Sequence, residues 1–155
     1  MNFFRGHYWT SVHDGTFTYY IMNGVLKESE FGKTNNYVES YVRDYLVNSE
    51  LATELKKDFG DKLIPISLDL TALDGLKDYG MVEGDILAIP NIQLILKFGE
   101  RIPLINYPYW LSTPNQTLAR KDSHYVQCVV EDGYVTYRFH NTGGIYIRPF
   151  FILQT

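Results

Sequence analysis

The chain has 155 residues, of which 45% are hydrophobic and 21% charged, and its formal net charge is −4 at pH 7. This length predicts a single domain over residues 1–155. A chain of about 150 residues buries roughly 68 to 70% of its unfolded surface, which is enough to form a hydrophobic core. The acidic balance, with no block of like charge, argues against nucleic acid as a partner. The single cysteine excludes an internal disulfide.

The first residues contain no apolar signal segment, and no stretch approaches the roughly 18 apolar residues that a membrane span needs. We therefore expect a protein that neither inserts into a membrane nor leaves the cell by the usual signal.

The N-terminal residues have the pattern of an antiparallel meander. Residues 8–12 and 16–21 flank His13-Asp14-Gly15, and Asn23-Gly24 offers a second tight turn into residues 25–26. We expect one of these strands to pair with the apolar run at residues 151–153.

Two helices are predicted after the meander. From Tyr37 onward the apolar residues recur at helical spacing, with Asn36 as the N-cap and Glu39 placed to complete a capping box. Ser49 begins the second helix, in which every fourth residue is apolar until Gly60 ends it.

The middle of the chain predicts two short strands, at residues 63–68 and 86–89, and a helix that Pro90 opens and Gly99 ends. An acidic loop connects the strands. Its carboxylates could bind calcium, but their spacing matches no EF-hand, so we favour a solvated loop. The acidic residues are Asp69, Asp74, Asp78, Glu83 and Asp85.

A hairpin is predicted where alternating runs at residues 124–131 and 134–140 flank Asp132-Gly133. A two-residue turn fixes the register and separates a core face from an open face. The core face would pair Val130 with Val135, Cys128 with Tyr137, and Val126 with Phe139. The open face would pair Val129 with Thr136, Gln127 with Arg138, and Tyr125 with His140.

Three segments resemble, in the same order, motifs of a family of bacterial and phage domains of unknown function. The sequence Y-W-L-S-T-P at 109–114 resembles the signature W-W-L-R-S-P, although Ser112 replaces its arginine, and I-R-P-F-F at 147–151 resembles V-R-P-A-L. Residues 39–48 are similar to the family's helical pattern x-S-x-I-R-x-W-L-N. The family is a branch of the C-type-lectin-like fold. The resemblance implies an α+β fold of antiparallel sheets with two or three short helices and adjacent N- and C-terminal strands.

Catalytic motifs are missing from the sequence: there is no nucleophile elbow, no phosphate-binding loop and no zinc-protease helix. We therefore expect no enzyme, no cofactor and no metal site. Aromatic rings can stack on sugars, while polar side chains orient them by hydrogen bonds. One set of residues, on the hairpin and the segment before it, has this composition. The candidate ligand-binding residues are Tyr107, Tyr109, Asn115, Arg120, His124 and Arg138.

The function that the resemblance implies is binding. We expect a phage virion protein of the tail or fibre, made in the bacterial cytoplasm, that contacts a host-surface glycan or protein. A position on the bacterial cell surface is the alternative location. The alternative function is a structural virion subunit, in which the open hairpin face packs only against other virion proteins or a second copy of the chain.

Overall fold

The computed structural model describes residues 1–155 and has an α+β fold with three antiparallel sheets and three short α-helices. No helix has both the length and the apolar character needed to cross a membrane. The helices are α1 (Tyr41–Val47), α2 (Glu50–Phe59) and α3 (Ile92–Phe98). The strands are β1 (Asn2–Phe4), β2 (His7–His13), β3 (Phe17–Met22), β4 (Ile66–Asp69), β5 (Met81–Asp85), β6 (Tyr109–Pro114), β7 (Tyr125–Val129), β8 (Val135–Phe139) and β9 (Phe150–Gln154).

The largest sheet joins the two ends of the chain, in the order β1-β2-β3-β9. β3 and β9 pair antiparallel, with Thr18 opposite Leu153, so the predicted pairing of an N-terminal strand with residues 151–153 is confirmed. The turn at Asn23-Gly24 does not start another strand of this sheet. Instead the Leu26 N–H donates to the Ile147 carbonyl at 2.9 Å, and residues 26–29 lie beside residues 145–147, which precede β9.

The predicted helix from Tyr37 is divided in two at Ser40. Residues Tyr37–Glu39 form a 3₁₀ turn capped by Asn36, and α1 begins only after Ser40. The Ser40 hydroxyl donates to the Tyr37 carbonyl and accepts from the Arg43 N–H, so it ends one turn and caps the next. The second predicted helix is confirmed as α2, with Ser49 as its N-cap and Gly60 at its end.

The acidic segment is more ordered than the sequence indicated. Its last part is β5, which pairs antiparallel with β4, so the prediction of one loop over residues 69–85 is wrong there. The predicted strand at residues 86–89 is also wrong, because this buried run makes a single bridge, from Ala88 to Phe150. α3 is confirmed, with Asn91 as its N-cap and Gly99 at its end.

The hairpin forms, but its predicted register is wrong by one residue. The loop has three residues, because the Val130 N–H donates to the Tyr134 carbonyl and Gly133 adopts a φ of 91°. Loops of this kind place a glycine in the left-handed region to form a bulge. The extra loop residue turns every side chain of β8 to the other face. The observed pairs are Tyr125 with Phe139, Val126 with Arg138, Gln127 with Tyr137, Cys128 with Thr136, and Val129 with Val135.

The third sheet, in the order β6-β7-β8, is covered on both faces along β6 and β7. Trp110 and Cys128 lie in the main core on one face, while Tyr109 and Val129 pack beneath α3 on the other. Gln127, predicted on an open face, is buried in this second layer. β8 extends beyond both layers, and most of its residues are exposed.

Candidate binding site

The corrected register places three aromatic side chains of the hairpin on one face. Tyr125 lies opposite Phe139, and Tyr137 is the next residue of β8 on the same side. The side chains are open to solvent, since Tyr137 is 51% exposed and Phe139 is 36% exposed. The prediction placed both residues in the core, and the structure places them on the surface.

These rings and that of His124 contact one another in a continuous row, which we call the aromatic stripe (His124, Tyr125, Tyr137 and Phe139). The Tyr125 ring meets Tyr137 and Phe139 edge to face, with centroids 5.4 and 5.5 Å apart. His124 stacks almost parallel on Phe139 at 5.2 Å. Mutual packing limits the rotamers of the four side chains, so a ligand that binds the stripe would lose little further entropy by ordering them.

A buried amide supports the start of β7, where the stripe begins. Asn35 is fully buried, and its Nδ2 donates to the carbonyls of Gln116 and Tyr125 at 2.7 and 3.0 Å. Its Oδ1 accepts from the Tyr79 hydroxyl at 2.7 Å, and that hydroxyl in turn accepts from the Leu118 N–H. The Asn35 side chain therefore joins Tyr79, the loop at Gln116 and the start of β7 behind the stripe.

The acidic segment holds the loop between β6 and β7. Asp78 accepts hydrogen bonds from the Thr117 hydroxyl and the Ala119 N–H. Asp74 accepts a hydrogen bond from the Leu76 N–H of its own loop and lies 3.6 Å from the guanidinium of Arg120. Further along the chain, Asp85 pairs with Arg43 at 2.9 Å. Three carboxylates of the predicted solvated loop, those of Asp74, Asp78 and Asp85, therefore bind other segments of the chain.

The six predicted site residues do not converge on one place. His124 belongs to the aromatic stripe, whereas Arg138 lies opposite Val126 and so faces the other side of the hairpin. Tyr107 is exposed and packs edge to face on Tyr146, with centroids 4.8 Å apart. The side chain of Asn115 is engaged within the fold, because its Oδ1 accepts a hydrogen bond from the buried Gln127 amide at 2.9 Å. Arg120 is exposed on the loop between β6 and β7.

Tyr109 is only 5% exposed, so its ring is not available for stacking on a ligand. The ring instead covers Arg148, whose guanidinium carbon lies 5.0 Å from the ring centroid. Arg148 is fully buried, and its Nε donates to the Met22 carbonyl at 2.7 Å. Burial lowers the pKa of Arg148, because desolvation penalises the charged form. Both residues therefore join the end of β3 to the third sheet, and their role is structural.

No protein family, no curated protein and no solved structure matches this chain. The chain contains no group of three or more side chains placed to hold a metal ion. The aromatic stripe offers flat apolar surface with the imidazole of His124 and the hydroxyls of two tyrosines at its margin, a composition suited to stacking on a ligand and orienting it by hydrogen bonds.

A second surface, a groove along α1, is also large enough to hold a ligand. The groove has a volume of about 610 Å³ and is lined by residues of both charges, including Lys33, Glu39 and Asp44. Its arginine, Arg43, is already bound to Asp85 and to the Val38 carbonyl. The stripe presents four aromatic rings in contact, whereas the groove is lined by one, Tyr41, and we regard the stripe as the better candidate.

Proposed function

We propose that this protein is a non-enzymatic binding domain of C-type-lectin-like fold, a phage tail or fibre component that contacts a host-surface ligand such as a glycan. The observation that carries the proposal is the aromatic stripe, a row of packed rings at the end of a hairpin whose outer strand, β8, is mostly exposed. Sugar rings present faces of C–H groups that stack on aromatic rings, and tyrosine gives large contact area at a low cost in side-chain entropy.

Two features of the fold support the lectin-like part of the proposal. The first is the antiparallel pairing of β3 with β9, which brings an N-terminal and a C-terminal strand together. The second is the order of elements, with α1 and α2 after the first strands and a hairpin after a long excursion. Both agree with the arrangement that the motif resemblance implies.

A binding assay on whole host cells and on a glycan array tests the function. Tyr137→Ala removes a ring of the stripe that is 51% exposed, and truncation of a central aromatic residue typically costs about 2 kcal/mol or more, roughly thirtyfold in affinity. Tyr134→Ala is the matched control, because Tyr134 is 71% exposed at the hairpin turn and belongs to no ring contact of the stripe. Equal attachment by both variants would overturn the proposal.

The alternative function, a structural virion subunit, has its own support. β8 is the outer strand of its sheet, so the backbone N–H and C=O groups on its free side have no strand partner. Such edges pair readily with another strand unless charge, proline or a covering segment blocks them. Val135→Lys places a charge on this edge. If the protein only packs in the virion, the isolated chain should show no saturable cell binding, and the lysine variant should fail to assemble with virion proteins.

A further inference from the structure

We propose that His124 and His140 form a binding site for a divalent transition-metal ion of the zinc and copper class. The two residues are separated by fifteen positions in sequence, counted between them. They become neighbours because β7 and β8 are paired, and the His140 N–H donates to the His124 carbonyl at 2.8 Å. Their imidazole rings lie side by side, with centroids 6.2 Å apart and planes 24° from parallel.

The hydrogen bond of the His140 ring assigns its tautomer. Its Nδ1 lies 2.7 Å from the Gly32 carbonyl oxygen. A carbonyl oxygen can only accept, so Nδ1 carries the proton and Nε2 of the neutral ring carries the free lone pair. A backbone carbonyl that holds one ring nitrogen in this way is the usual outer contact of a metal-binding histidine, because it orients the ring and raises its basicity.

His124 supplies the second nitrogen. The residue is exposed, and its hydrogen bond to Asp122 uses the backbone N–H and leaves the ring free. Two nitrogens that bind one ion at about 2.0 to 2.1 Å each lie at most about 4 Å apart. The two ring centroids now lie 6.2 Å apart, so metal binding requires the exposed His124 side chain to leave its stacking contact with Phe139 and rotate toward His140. Water would fill the remaining positions around the ion.

The choice of ion follows from the ligands. Imidazole nitrogen suits zinc, copper and nickel, whereas magnesium and calcium prefer oxygen ligands. A bound ion would join the first residue before β7 to the first residue after β8. It would also move His124 away from Phe139, where its ring now stacks. The site does not depend on the proposed recognition of a host ligand, and it can be tested without one.

Titration calorimetry of the full chain with Zn²⁺ alone tests the proposal. We expect saturable binding of one ion per chain, loss of this binding in His124→Gln, and no binding of Mg²⁺. His13→Gln is the matched control, because His13 is an exposed histidine that contacts Thr18 and lies on another sheet. Absence of saturable Zn²⁺ binding, or unchanged binding in His124→Gln, would overturn the assignment.

A second measurement uses the unmodified chain and so does not depend on the folding of a variant. Nuclear magnetic resonance of the imidazole nitrogens should show that Zn²⁺ shifts the signals of His124 and His140 together. We expect the signals of His7 and His13 to stay in place. Shifts at His7 or His13 without shifts at His124 and His140 would place the ion elsewhere and refute the proposal.

Discussion

Replacement of Asn35 should be among the most damaging single changes outside the apolar core. The Asn35→Ala variant loses three hydrogen bonds, to Gln116, Tyr125 and Tyr79. Two of the partners keep another bond, since the Tyr125 carbonyl still accepts from Asn115 and the Tyr79 hydroxyl from Leu118. The Gln116 carbonyl loses the side-chain donor that satisfies it here.

The cost follows from these partners. A net hydrogen bond contributes about 1 kcal/mol, and a buried group left without its partner costs about 1 to 3 kcal/mol. We therefore expect Asn35→Ala to lower the free energy of unfolding by about 2 to 4 kcal/mol. A domain of this size loses about 2 to 4 °C in melting temperature for each kcal/mol, so a decrease of about 5 to 15 °C is expected.

Two further variants make the test specific. Asn35→Asp keeps the shape of the side chain but replaces its two-donor nitrogen by an oxygen that faces two carbonyl oxygens, so it should be more harmful than alanine at neutral pH. Asn36→Ala removes one capping bond, from the Val38 N–H, and should cost about 1 kcal/mol. Urea unfolding of the three variants measures these differences. If Asn35→Ala costs no more than Asn36→Ala, the buried network does not stabilise the fold as we infer.

Arg148→Lys should lower the free energy of unfolding by about 2 kcal/mol or more, because a compact ammonium cannot keep both the Nε bond and the planar contact with the tyrosine ring; the exposed Arg138→Lys serves as control in the same thermal melts, and equal melting temperatures would contradict the structural role. Gln127→Ala and Cys128→Ala should each lower the free energy of unfolding in urea by about 1 to 2 kcal/mol, since both side chains are buried. A negligible cost at Gln127 would mean that the hydrogen bond from its side-chain amide to Asn115 is not formed in solution. Hydrogen bonds from the Phe17 and Thr16 N–H groups, together with Lys97, lower the pKa of Asp14, so its contribution to stability is present above the unfolded-state pKa of about 3.9 and is lost as the pH falls through the lower folded-state pKa. The melting temperature of Asp14→Asn should therefore lie furthest below that of the native chain above about pH 4, and a gap that widened in acid would refute this reasoning.

Local signals in the sequence were sufficient for the elements that local chemistry defines. Ser49 and Gly60 bracket α2 because a hydroxyl cap and a glycine in the left-handed region act within one turn of the chain. The sequence did not predict the break at Ser40, because the same residue that can continue a helix becomes an N-cap when its buried hydroxyl accepts from the Arg43 N–H. The helical spacing of the apolar residues is the same in both cases.

The candidate site was predicted only in part. The hairpin was identified, but a turn of two residues and a loop of three are both compatible with Asp132-Gly133, and the choice decides which face carries Tyr137 and Phe139. The support behind the site could not be predicted at all. Asn35 joins Tyr79 to residues 116–125, and no periodic pattern in a single sequence relates positions so far apart.

The position of β9 has a consequence for the synthesis of the protein. This strand, at Phe150–Gln154, pairs with β3 and forms bridges to Leu63 and Ala88, so it contacts the early and the middle parts of the chain at once. Contacts across more than a hundred residues close late, because the entropy of the intervening loop must be overcome first. Until β9 has been synthesised, the apolar surface of Ile21 and its neighbours in β3 stays uncovered. Nascent chains should therefore expose the free edge of β3, which is prone to aggregation, until β9 has emerged.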